Sequence, residues 1–155
     1  MNVPNPAAAR ARVLVVDDEP LLRHLVSRCL EDDAIAIDEA ATVTEALSLL
    51  REDPPDLMLV DVNLPGVAGH ELCRLVRRQP LLAGIPIIVM TGRTGANEHL
   101  DALEAGATDF IAKPFRPHEL LVRVRNLLAL QATQRELRRC QLAAEMQRVK
   151  ELRQG

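Results

Sequence analysis

Five residues of this chain have side chains suited to phosphoryl or metal chemistry and stand in comparable settings. Asp17 and Asp18, Asp61, Thr91 and Lys113 each close or follow a short aliphatic run. If those runs lie side by side, three carboxylates meet, and each close pair repels by about 4 kcal/mol at ~4 Å and an effective dielectric near ~20. A cation must then accompany them. Magnesium, a hard ion that takes oxygen ligands in near-octahedral geometry and keeps some waters, fits two Asp side chains plus a backbone carbonyl. Lys113 adds a second, fixed positive charge. A phosphoryl group entering beside the metal would have its oxygens bound by the ion, by the Lys113 ammonium and by the Thr91 hydroxyl, leaving Asp61 as nucleophile. Singly, each residue has an ordinary reading, since Asp-Asp after a strand is often a solvated helix start. The joint occurrence at four run ends carries the argument.

The elements that must position these groups alternate. Arg12–Asp17 is a β-branched run followed by Pro20, which suits a first helical turn, and by Leu22, Leu25, Val26 and Cys29 at helical spacing. Ile35–Glu39 reads as a strand, and Val43, Ala46, Leu47 and Leu50 as a helical stripe ending before Pro54-Pro55. Asp56–Asp61 is a third strand. After the loop Asn63–Gly69 come a helix through Leu72, Leu75 and Val76 and a fourth strand, Pro86–Thr91. Gly92 and Gly95 mark the next loop, a helix through Leu100 and Leu103 stops at Gly106, and Thr108–Lys113 is the fifth strand. Strand-helix alternation of this kind predicts an open α/β parallel sheet with right-handed crossovers and helices on both faces, its ligand site at the strands' carboxyl ends.

Composition agrees. Hydrophobic residues make up 48% and aromatics 1% of the chain, so the core must be aliphatic, as a helix-covered parallel sheet allows. The net charge of −3 divides into an acidic body, thirteen Lys/Arg against nineteen Asp/Glu, and a mildly basic stretch 129–155 with six against three. With both signs interspersed and no aromatic, that stretch reads as a solvated helix, so no direct nucleic-acid binding and no membrane contact are expected. Cys29, Cys73 and Cys140 lack metal-site spacing and read as reduced core cysteines. Without an apolar block of membrane length or a signal peptide, a cytoplasmic location is expected.

Together, Val15–Pro20, Pro55–Gly66, Met90-Thr91 and Gly106–Phe115 resemble the response-regulator receiver family of two-component signalling, of the chemotaxis-regulator kind, over roughly residues 12–130. The resemblance implies a flavodoxin-like, doubly wound five-stranded sheet of order 2-1-3-4-5. It implies Asp61 as the phosphoacceptor and a magnesium held by Asp18, Asp61 and the Asn63 backbone carbonyl, with Asp17 acting through a metal-bound water. Lys113 and Thr91 would contact the phosphoryl oxygens, and Lys113-Pro114 would be a cis peptide. Phe110, which alone reads as core, would pair with Thr91 as a switch acting on the fourth helix, fifth strand and fifth helix. A sensor histidine kinase or phosphotransfer protein would be the donor. Two departures, the Asn63–Gly69 loop without an acidic residue before its second Gly and Arg93 two places after Thr91, would tune the acyl-phosphate lifetime.

Three segments result: a disordered tail over 1–11, a receiver over 12–130 and a helical linker over 131–155. After Pro117, Leu120, Leu121, Val124, Leu127 and Leu128 complete the domain, and no breaker follows before Gly155. A helix to Arg153 would be about 55 Å long. Leu130, Leu137 and Ala144 share one heptad phase and Leu142 and Val149 another, an interrupted seam that supports a helical linker more than a coiled coil. The length beyond what covering the sheet requires suggests parallel homodimerisation through this C-terminal helix, with a solvent-exposed single helix as the alternative. Three functions stay open: a phosphorylatable signalling domain that is not an enzyme in the usual sense, a phosphorylation-independent interaction module, and a magnesium-dependent aspartyl phosphatase. The last usually needs a second Asp two residues after the nucleophile, where Asn63 stands.

Overall fold

The computed structural model describes residues 10–31, 35–92 and 96–155, so the tail expectation for residues 1–9 and the loop positions Arg93 and Gly95 lie outside the described residues. Its elements are β1 (Ala11–Val16), α1 (Pro20–Cys29), β2 (Ile35–Ala40), α2 (Val43–Glu52), β3 (Leu57–Asp61), α3 (Gly69–Arg78), β4 (Ile87–Thr91), α4 (Ala96–Glu104), β5 (Asp109–Ala112) and α5 (Pro117–Gln154). All strand pairs are parallel and the order is β2-β1-β3-β4-β5, the flavodoxin-like arrangement expected.

Every residue of β3 and β4 is buried, because helices cover both faces of the central strands. Alternation sorts their side chains. Leu14, Val16, Met58, Val60, Ile87 and Val89 pack with residues of α2, α3 and α4, among them Leu50, Leu72, Val76 and Ala102. Val13, Val15, Leu57, Leu59, Ile88, Met90 and Ile111 pack with Val26 of α1 and with Leu120 and Val124 of α5. A one-residue slip of any strand would exchange the two faces, so the register that sets the strand ends is held by the aliphatic pattern itself.

Local chemistry starts and stops the helices. Pro20 and Pro117 stand in the first turns of α1 and α5. The Thr42 hydroxyl accepts from the Glu45 amide at 3.1 Å while the Glu45 carboxylate accepts from the Ala41 amide at 2.8 Å, a reciprocal cap on α2. Gly106, at φ 106°, ends α4 as expected, and the Ala107 amide returns to the Ala102 carbonyl at 3.0 Å.

Two expectations change. Ala11, placed in the tail, is the first residue of β1 and pairs with Ile35. Cys140 is exposed rather than core, because α5 has run past the sheet by that point; Cys73 is buried and Cys29 half-buried, and all three are free. Beyond residue 130 the helix still touches the domain, through Arg135 to Asp56 at 2.7 Å. Asp56 also accepts from the Arg12 amide at 2.8 Å, which ties the emerging helix to the start of β1.

Arg77, at the end of α3, organises the opposite edge of the sheet. Its guanidinium donates to the carbonyls of Gly106 at 2.8 Å, Ala83 at 2.9 Å and Ile85 at 2.6 Å, and to the Thr108 hydroxyl at 3.2 Å. These bonds fix the turns that lead into β4 and β5, the strands that end at Thr91 and before Lys113. Arg77→Ala leaves those carbonyls unpaired and is expected to cost about 3 kcal/mol in urea unfolding. Arg77→Lys, with one compact ammonium, should recover less than half of that loss.

Candidate functional site

The strand order brings the carboxyl ends of β1, β3, β4 and β5 to one edge. Asp61 is the last residue of β3 and Thr91 of β4, while Asp17 follows β1 and Lys113 follows β5. Backbone bonds carry the pairing past the strands: the Val62 amide donates to the Met90 carbonyl at 3.0 Å and the Lys113 amide to the Thr91 carbonyl at 2.7 Å. The five residues singled out by type and spacing are thereby gathered from elements up to 96 positions apart in the chain.

Among the described residues, the polar side chains in the buried class are Asp17, Asp61 and Thr91, all at this edge. Burying polar groups costs free energy unless they are paired or have another use, so their confinement to one spot marks it as a site. Carboxylate oxygens of Asp17, Asp18 and Asp61 lie within 4.8 Å of one another, with Asp18 exposed at the mouth. The Lys113 ammonium stands 3.2 Å from Asp61 Oδ1 and 3.4 Å from Asp17 Oδ2, one cation shared by two buried anions.

The remaining bonds fix the carboxylates without neutralising them. Asp17 Oδ1 accepts from the Glu19 amide at 2.9 Å, and Asp61 Oδ1 from the Asn63 amide at 3.1 Å. Burial pushes the Asp17 carboxyl above its ordinary range and Asp61 adds to the rise, while the Glu19 amide and Lys113 oppose it. Three acids against one ammonium leave excess negative charge. Oxygens around a small divalent ion at ~2.1 Å stand about 3 to 4 Å apart, a spacing that three carboxylates so close together can meet. The donor set therefore fits magnesium.

Thr91 Oγ1 is buried with no hydrogen-bond partner among the described residues. An orphaned hydroxyl is rare in a native interior, and this one stands one residue beyond Met90, the strand partner of Asp61. Phe110 is half-buried on β5 rather than enclosed in the core. Asn63 is exposed at the start of the β3–α3 loop, and Lys113-Pro114 is cis.

Two positioning residues are not apparent from the sequence. Arg23 of α1 donates to the Asp17 main-chain carbonyl at 2.7 Å, steadying the acidic turn. Gly69, a loop residue by sequence, packs on β3: a Cβ there would overlap the Asp61 carbonyl oxygen and stand 3.0 Å from Val62 Cα. The two Gly of the loop differ in kind, since Gly66 has φ 77° with open space around it. No sequence signal separates a glycine needed for close approach from one needed for a turn.

Comparison with known proteins agrees with this geometry. The family model of the response regulator receiver domain matches residues 13–125. The DNA-binding response regulator MtrA of Mycolicibacterium smegmatis is 39% identical over 116 residues, 75% of this chain and 50% of that protein. Among solved structures, a response regulator from Chloroflexus aurantiacus superposes with TM-score 0.75 at 36% identity, over 78% of this chain and 99% of that one. Chemotaxis protein CheY4 of Vibrio cholerae does so with TM-score 0.72 at 34% identity, over 77% and 99%. The chain belongs to the response regulator receiver family of two-component signalling. It spans about half the length of the curated relatives it matches.

Because Asp17 binds its proton more tightly folded than unfolded, the stability of the metal-free protein falls as pH rises from the ordinary carboxylate range toward the raised value. Asp17→Asn removes that penalty and part of the repulsion. Calorimetry at pH 7 without divalent ions should show its melting temperature raised by a few degrees, at about 3 °C per kcal/mol for this size. Added magnesium should raise both, the variant by less than the wild type, because the direct ligands remain and only the Asp17 charge is lost.

Proposed function

We propose that Asp61 accepts a phosphoryl group from the phosphohistidine of a sensor histidine kinase or phosphotransfer protein, and that the resulting acyl phosphate is the signal. The observation that carries this reading is the Lys113 ammonium held 3.2 Å from a buried Asp61. Asp61 Oδ1 is occupied by Lys113 and the Asn63 amide, which leaves Oδ2 to attack phosphorus. The bond to phosphorus forms as the donor's P–N bond breaks, its electron pair returning to the imidazole. Lys113 neutralises charge on the moving phosphoryl oxygens and the Thr91 hydroxyl donates to one of them. Magnesium, held by Asp18, Asp61 and the Asn63 carbonyl with Asp17 acting through water, would supply charge neutralisation on those oxygens. The chain acts on its own side chain and hydrolyses its own product, so it signals rather than turning over an external substrate.

Drawing Thr91 toward Asp61 lets Phe110 move inward behind it, and the altered surface is that of α4, β5 and α5. Phosphorylation biases two arrangements only as far as it binds them unequally. The DNA binding in MtrA's name belongs to a protein twice as long as the shared segment; for this chain we propose reception of the signal, in the cytoplasm. Among the described residues no helix is long and apolar enough to cross a membrane.

Exposed Leu130, Leu137, Leu142, Met146, Val149 and Leu152 along α5 favour one addition, homodimerisation through the distal helix. Sedimentation at micromolar concentration should give twice the chain mass, and a monomer mass would remove the dimer.

Incubation with magnesium and acetyl phosphate should add the mass of one phosphoryl group to the wild type. Asp61→Asn, or wild type with excess chelator, should gain none. Labelling of Asp61→Asn would move the acceptor elsewhere, and a wild type that never labels would favour a phosphorylation-independent interaction module.

A further inference from the structure

His99 of α4 lies flat on Phe110 of β5, ring centroids 3.9 Å apart and planes 20° apart. The sheet explains why this contact bears on the site. Ile87 and Val89 of β4 face the cluster that contains Ala102 of α4, while Ile88, Met90 and Ile111 face the other side. By alternation Thr91 and Phe110 share the α4 face. Val89 pairs with Phe110 and Thr91 with Ala112, so Phe110 sits diagonally beside Thr91. His99, three residues before Ala102, is on the same side of α4.

We infer that His99 is a positioning residue for the phosphoryl step: its stack on Phe110 holds the ring in the resting arrangement and thereby opposes movement of Thr91 toward Asp61. This rests on the reading that Asp61 is the phosphoacceptor. The Thr91 hydroxyl is buried and unpartnered among the described residues, so little in the resting arrangement ties it down by hydrogen bonding. What opposes its movement is the void it would leave behind in a packed interior. If Thr91 moves to a phosphoryl oxygen, Phe110 can occupy the vacated volume only by leaving His99. The stack therefore contributes to one arrangement alone, and a contact made in only one of two states shifts their balance by its full worth. Stacked aromatic pairs are of a strength that corresponds to about a two- to tenfold population change. A residue that merely covered the Phe110 ring would, when removed, weaken the fold and leave ligand affinity unchanged or poorer. A latch, when removed, tightens it.

Beryllium fluoride with magnesium is the probe, titrated calorimetrically into wild type, His99→Ala, His99→Phe and Asp61→Asn. His99→Ala should bind about two- to tenfold more tightly than wild type, and His99→Phe, which keeps a stacked ring, within about twofold of it. The chain has two Phe, so the Phe110 ring signals are readily followed by NMR. Without ligand, those of His99→Ala should already lie part-way toward the positions reached with beryllium fluoride. Unchanged or weaker binding by His99→Ala, or His99→Phe behaving as His99→Ala does, overturns the latch. Failure of the phosphoacceptor reading looks different: the wild type does not bind, or Asp61→Asn binds as well as it does.

Discussion

The shared ammonium of Lys113 is the interaction on which the rest of the site depends. Asp17 and Asp61 are buried where charge is poorly solvated, and one lysine at 3.2 and 3.4 Å is their common counterion. Both distances are longer than a tight charge-assisted bond of ~2.7–2.9 Å, as befits a cation spread between two partners. Neutralisation stays incomplete because Asp18 adds a third carboxylate. That deficit is what the proposed divalent ion would offset, and the lysine would offer a second positive charge to the proposed phosphoryl group.

Much of this site is legible in the amino-acid sequence. Asp17, Asp61, Thr91 and Lys113 each stand at the end of an aliphatic run, and alternating runs and helical stripes permit few topologies. The core faces follow from period-two alternation, and Gly106 and Pro117 mark a stop and a start. Element edges move by a residue where backbone pairing outruns the pattern: Ala11 joins β1 through Ile35, and Ala40 extends β2. What stays hidden depends on distance between residues far apart in sequence. Gly69 matters because α3 crosses the Asp61 carbonyl, Arg23 because α1 returns its guanidinium to Asp17, and His99 because α4 lies over β5. Cys140 is misread as core for the opposite reason. A heptad-like pattern continues along α5 whether or not a domain lies beside it, and the point where contact ends leaves no mark in the residue types.

The two ends of the sheet divide their work. At the carboxyl edge, polar groups are buried at a cost and left partly unsatisfied. At the other edge they are paired: Arg12 with Asp38 at 2.6 Å, Asp56 with the Arg12 amide and Arg135, and Arg77 with three carbonyls and a hydroxyl. This satisfied edge anchors the strands whose far ends carry the buried acids, Thr91 and the lysine. It also holds α5, which starts two residues after Phe115 beside the site and leaves the domain past Asp56. One continuous helix of 38 residues thus spans from the site to the distal apolar stripe.

A crystal structure of the chain with magnesium and beryllium fluoride would test the central claim most directly. The expected result is beryllium bonded to Asp61 Oδ2, with Lys113 Nζ and Thr91 Oγ1 each within about 3.2 Å of a fluorine. Beryllium fluoride bound at another residue, or on Asp61 with Lys113 and Thr91 both turned away, would contradict it.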